Sequence, residues 1–258
     1  MRALVTGAGK RLGRAMALYL AGRGYDVAVH YATSKAEAGA VVDEITAMGR
    51  KGAILQADLL VEAETQTLVA RANAALNGPL TLLINNASIF EYDSLQSATR
   101  TSWDRHLESN LRAPFVLSQA FAAQAPLAMP DENGEGTAQA MILNMIDQRV
   151  LKLTPEFMSY TIAKMGLWAL TQTAAQALAP HIRVNAIGPG PTLQGTRQSL
   201  EHFTKQRGAT VLQRGVNAND VTAALGYFLD APAVTGQLIC VDGGQHLAWK
   251  TPDVLGLE

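Results

Sequence analysis

An alternation of two periodicities limits this chain more than any other feature. Short runs rich in β-branched and apolar residues trade places with longer stretches whose apolar residues recur at helical spacing. The strand-like runs are "RALVT", "DVAVHY", "GAILQAD", "LTLLINNAS", "AQAMILNMI", "IRVNAIGPG" and "GQLICVDGG". Helical patterns span 11–24, 34–49, 62–76, 160–179 and 219–229, with alanine-rich helices between the fourth and fifth strands. In 62–76 the residues Leu68, Val69, Ala72 and Leu76 share one face. Ser34 is placed to cap its helix, with Glu37 at the third helical position and Gly49 at the stop. Strands that are apolar throughout need cover on both faces. The chain is therefore expected to be α/β, a single doubly wound parallel sheet with helices on both faces and right-handed crossovers.

Nothing divides the chain. "PDENGEG" at 130–136 reads as an exposed polar loop, after which the sheet pattern resumes, so one domain is expected over 1–258. Hydrophobic residues make up 48% and charged residues 17%, enough for a substantial core. A net charge of −1 without a basic block argues against nucleic acid or an anionic membrane as partner. The single cysteine, Cys240, cannot form an internal disulfide and suits a cytoplasmic address. Cys240 lies in an apolar run and is expected to be inert, and the three tryptophans are expected to pack. "MRALVTGAG" runs straight into a strand and turn, unlike a signal peptide. The five histidines have no metal-ligand spacing, so no metal site is expected.

"TGAGKRLG", from Thr6 to Gly13, joins the first strand to the first helix. Gly7 and Gly9 permit backbone geometries that side chains oppose, and Gly13 lets the helix approach the sheet. With Arg11 and Leu12 they would present free helix amides to a pyrophosphate. A tight connection without ligand is the bland alternative. The second strand ends in "VHYATSK" without the acid that would bind NAD ribose hydroxyls. His30, Ser34, Lys35 and Arg11 could instead meet a 2′-phosphate, which favours NADPH. Taken singly, His30 and Lys35 are equally well ordinary surface residues.

The ordered set "TGAGKRLG", "ADL" at Asp58, "NNAS", "ESNLRAPF", "YTIAK", "RVNAIGPG" and "TGQLICVDGG" resembles the short-chain dehydrogenase/reductase family over almost the full length. The resemblance implies a Rossmann-type sheet and a nicotinamide cofactor. It implies that Asp58 and Leu59 hold the adenine, and that Asn86, Ala87, Ser88, Pro189 and Gly190 line the cofactor. It also implies that Asn110 belongs to a proton relay. Arg11 in place of glycine, Ser88 in place of glycine and Asp147 in place of serine resemble the pteridine reductase subgroup, including dihydrofolate- and dihydromonapterin-reducing members. There the matching arginine reaches the substrate and the residue matching Phe90 stacks on the pterin. The resemblance also implies an oligomer. With the apolar stretch "MGLWALTQTAAQALA", it leads us to expect a homotetramer.

Tyr160 and Lys164, four apart, share a helical face. An ammonium near the phenol, with the positive charge of oxidised cofactor, would stabilise a phenolate and allow proton exchange with substrate. An ionised carboxylate at Asp147 would repel a developing alkoxide. A C=N substrate differs, since its nitrogen must gain a proton that a carboxyl group can supply. Asp147 beside Tyr160 therefore favours a pterin or similar imine, with Arg11, Phe90, Asp147 and Tyr160 forming the substrate site. The bland alternatives are a loop-capping acid and a core phenylalanine. Two other functions stay open: reduction or oxidation of another carbonyl or imine, and a non-catalytic NADPH-binding regulatory role.

Overall fold

The structure, a computed structural model, describes residues 1–194 and 198–249. The end of the unit expected over 1–258 lies outside the described residues. Seven strands form one sheet: β1 (Arg2–Val5), β2 (Asp26–Tyr31), β3 (Gly52–Gln56), β4 (Leu82–Asn85), β5 (Ala140–Met145), β6 (Ile182–Pro189) and β7 (Leu238–Val241). Their order is β3-β2-β1-β4-β5-β6-β7, and each neighbouring pair is parallel. The connecting helices are α1 (Arg11–Gly22), α2 (Lys35–Ala47), α3 (Glu62–Leu76), α4 (Arg100–Leu107), α5 (Ala113–Ala122), α6 (Met158–Ala177), α7 (Leu200–Gly208) and α8 (Ala218–Asp230). The doubly wound α/β expectation holds.

Alternate strand residues feed two cores, as the two-residue period of a strand demands. Val5, Val27, Val29, Ile84 and Leu143 pack with Met16 and Leu20 of α1, Val41 and Ile45 of α2, and Leu225 and Phe228 of α8. Leu4, Ala28, Leu83, Ile142 and Val184 face the other way, onto Leu68 of α3, Leu117 and Phe121 of α5, and Ala175 of α6. Phe121 and Phe228 are fully buried, one in each core, and truncating either to alanine would cost about 3–5 kcal/mol. The strand order reverses between β1 and β4, which leaves a crevice at their carboxyl ends.

Several local expectations are revised. Ser34 sits at the N-cap of α2 but makes no side-chain capping bond, because its ψ of 61° departs from the usual cap geometry. Glu37 pairs instead with Lys10 at 2.6 Å. The polar loop at 130–136 is closed by a short antiparallel pairing of Met129–Pro130 with Gly136–Thr137. Trp168 packs beside Ile146 and Leu167, but Trp103 and Trp249 are exposed. Helix α7 was not expected, since it buries no residue and so leaves no apolar face to read.

Candidate active site

A cleft of about 550 Å³ opens at the carboxyl ends of β1, β4, β5 and β6. Its floor at one end is the glycine turn. Gly7 has φ +62°, a conformation that L side chains resist. A Cβ on Gly13 would lie 2.2 Å from the Gly7 carbonyl oxygen, so helix and strand meet only through glycine there. A Cβ on Gly9 would lie 3.1 Å from Ser34 Oγ, which brings α2 against the same turn. Helix α1 starts at this point without a side-chain cap and without an acid in its first turn. Its leading amides thus keep their donors for a ligand, and Arg11, Leu12 and Gly13 line the cleft. These residues fit the phosphates of a dinucleotide.

Arg11 itself has φ +54°, the left-handed region. That explains why glycine suits the position. Its guanidinium donates to the carbonyls of Gln194 at 2.8 Å and Leu193 at 2.9 Å, tying the turn to the loop after β6.

His30 is not a phosphate ligand. It is buried under the turn, where Nδ1 accepts from Gly7 N at 3.0 Å and Nε2 meets Ala57 O at 3.0 Å. Burial pushes its pKa down to about 4, so it is neutral and braces β1 against β3. Ser34 lies nearer the turn, beside Gly9, and Lys35 opens α2 as an exposed residue. Asp58 accepts from Leu60 N at 3.0 Å, and Leu59 is buried next to it at the end of β3. Neither lines the cleft proper.

Strand β4 delivers Asn86, Ala87 and Ser88 to the cleft wall. The Thr6 hydroxyl accepts from the backbone of Asn86 at 2.8 Å and Ala87 at 2.9 Å, fixing this segment to β1. Pro189 and Gly190 close the wall from β6, and a Cβ on Gly190 would meet Asp242 Cα at 2.6 Å.

At the other end Tyr160, Asp147 and Lys164 converge. Tyr160 Oη donates to Asp147 Oδ2 at 2.9 Å, while Asp147 Oδ1 accepts from Arg149 N at 2.8 Å. Burial raises the Asp147 carboxyl above its ordinary value, against the pull of its hydrogen bonds and of Arg149 and Lys164. Burial first, and then the Asp147 charge, raise the Tyr160 phenol well above its ordinary range. Lys164 Nζ donates to Met145 O at 2.8 Å and lies 5.7 Å from the Tyr160 ring centroid. Burial lowers its pKa to about 8.

Asn110 lies in a π-helical turn, Glu108–Arg112, and is fully buried. Its side chain spends both functions on Ile89, accepting from N and donating to O, each at 2.8 Å. It positions the loop that carries Phe90 and does not line the cleft. Phe90 does line it, stacked on Phe157 at 4.3 Å between centroids and edge-on to Tyr160 at 4.7 Å. Phe157, with φ +55°, precedes α6 and was missed by sequence reasoning. Its signal was an aromatic three residues ahead of Tyr160. Arg149 was missed too, though a cation two residues past Asp147 was there to be noticed. Phe203 and Gln206 of α7 also line the cleft.

A buried network holds the Phe90 loop to α6. Ser159 donates to Asp93 and meets His106 Nδ1 at 2.7 Å, while His106 Nε2 accepts from Glu91 N at 3.1 Å. Cys240 is half-buried, and burial pushes its thiol up to about 12, which removes it as a nucleophile. Among the described residues no group of acids, histidines and cysteines could hold a metal ion.

The geometry can be set beside known proteins. The family model for short chain dehydrogenases matches residues 1–221. FolM alternative dihydrofolate reductase 1 from Brucella canis, solved with NADP, superposes with a TM-score of 0.89 at 40% identity, covering 99% of this chain and 98% of that one. Its counterpart from Brucella suis, also solved with NADP, gives 0.89 at 42% identity and 98% coverage of both. The 3-oxoacyl-(acyl-carrier-protein) reductase FabG of Staphylococcus aureus is 32% identical over 250 residues, 95% of this chain and 98% of its own. Matched by family model, by sequence and by structure over nearly its whole length, this chain belongs to the short-chain dehydrogenase family.

Proposed function

We propose that the protein is an NADPH-dependent reductase of a pterin-type C=N bond. The observation that carries this reading is the 2.9 Å hydrogen bond between Tyr160 and Asp147 inside the cleft. When bound, NADPH supplies the hydride. The chain's task is then the proton. Tyr160 Oη, hydrogen-bonded to the buried Asp147 carboxyl, passes its proton to a substrate nitrogen and is resupplied through Asp147, whose pKa burial raises above its ordinary value. Lys164 orients the site from Met145 and holds the nicotinamide ribose. Phe90 offers a ring face for stacking on the pterin, and Arg11 serves phosphate and substrate together. Asp58 and Leu59 hold the adenine, while Ser34 and Lys35 take the 2′-phosphate. The likeness to two FolM proteins solved with NADP supports the reading.

Steady-state assays with dihydrofolate, dihydrobiopterin, dihydromonapterin and a ketone panel test it. Higher kcat/KM for ketones than for all pterins would overturn it. Carbonyl reduction is the second reading, favoured by the likeness to FabG. A non-catalytic NADPH-binding role is disfavoured by the intact Tyr160 and Lys164.

The reading extends to a cytoplasmic homotetramer. Ile162 and Met165 on α6, Phe115 on α5 and Trp103 on α4 are exposed, and an apolar groove lies between Leu107, Leu111, Phe115 and Leu170. A monomeric mass by light scattering at micromolar protein would end this part. No helix among the described residues is long and apolar enough to cross a membrane.

A further inference from the structure

Arg149 lines the cleft without an ion pair among the described residues. Arg149 stands in the short turn Gln148–Leu151, two residues past Asp147. Its guanidinium lies 5.3 Å from the Phe157 ring centroid, and one Nη donates to the Thr154 hydroxyl. Its Nε is buried without a hydrogen-bond partner. No carboxylate lies within ion-pair distance of it among the described residues. Of the other cations lining the cleft, Lys10 pairs with Glu37 at 2.6 Å, while Arg11 and Lys164 are spent on backbone carbonyls of Gln194, Leu193 and Met145. Asp147, the nearest acid in sequence, gives its oxygens to Tyr160 and to the Arg149 backbone.

A guanidinium keeps its charge at any ordinary pH, and one held at a cleft wall without a counter-charge favours an anion that enters the cleft. Its planar fork suits a carboxylate, and Phe157 beside it, stacked on Phe90, extends an aromatic surface from the reacting end toward that fork. We propose that Arg149 is the subsite for an anionic substituent of the substrate, a carboxylate on the tail of the pterin. The inference rests on the pterin reading and narrows it. The preferred class is a reduced pterin with an acidic aryl tail, over one with a neutral hydroxyalkyl chain.

Calorimetry on the NADP-loaded protein tests this with two probes, folate for the acidic tail and biopterin for the neutral one. The parent should bind folate more tightly, and the preference should shrink as salt is raised. Arg149→Met, which keeps an apolar contact to Phe157, should weaken folate about 10-fold while biopterin moves by less than about 2-fold. Arg149→Lys should retain part of the folate preference, since it keeps the charge and loses the fork. Equal weakening of both probes by Arg149→Met, or of neither, would overturn the subsite and leave the pterin reading standing. Equal equal-salt behaviour of the Lys and Met variants would also overturn it, because charge would then not be what is recognised. Failure of the parent to bind either probe would sink the pterin reading, and the subsite with it.

Discussion

The two ends of the cleft are built by different means. The turn end is made of backbone: Gly7 and Gly13 clear space, and α1 begins uncapped. The reacting end is made of side chains carried by separate segments, with Asp147 after β5, Tyr160 and Lys164 on α6, and Phe90 after β4. A site made by removing atoms tolerates little addition. A site made by placing charges in a low dielectric is tuned by each neighbour.

The sharpest break of the reacting end is Tyr160→Phe. It should lower kcat about 1,000-fold while NADPH binding, followed by fluorescence titration, stays within a few-fold. Unchanged turnover would remove Tyr160 from the chemistry. Asp147→Ser comes next, with a loss of about 100-fold in C=N reduction and no loss in any ketone reduction. Equal pterin turnover in variant and parent would show that Asp147 has no proton role.

The turn end is probed through His30. Its folded pKa is depressed to about 4 from 6.5, so its contribution is fully present above pH 6.5. Below that the unfolded chain takes up a proton that the folded chain refuses, and stability drains as pH falls toward 4. Denaturant titrations should register up to roughly 3 kcal/mol from this group. His30→Gln should flatten the profile over the same window, and a parallel profile in both proteins would contradict the brace. The mildest expected effect is on cofactor choice. Ala32→Asp sets a negative charge beside the end of β2 and should raise KM for NADPH about 10-fold with little change for NADH. Comparable or better efficiency of the parent with NADH would refute the NADPH preference.

The same contrast governs what could be read from residues alone. β2 and α3 were legible to the residue because period and burial coincide along "DVAVHY" and 62–76. The glycine turn was legible because its residues are contiguous. Phe157 and Arg149 were not, since their meeting depends on how "QRVLKLTPEF" folds back between β5 and α6. His30 was misread for a related reason. A polar residue at a strand end looks solvent-facing until Ala57, just past the end of β3, is known to lie beside it. Asn110 looked chemical, but its partner Ile89 is twenty-one positions away in a loop without a pattern. Helix α7 left no trace because nothing in it is buried.

Arg11 keeps a side chain where the backbone would be easier with none. A left-handed residue other than glycine costs roughly 1 kcal/mol, and here the same residue grips the carbonyls of Leu193 and Gln194. Those two effects pull an engineer in opposite directions. Arg11→Gly should melt no lower than the parent, while the 193–194 segment exchanges its amide hydrogens faster. A screen for thermostability alone would thus accept the glycine and loosen the cleft wall, making this one residue a place where robustness and binding are selected against each other.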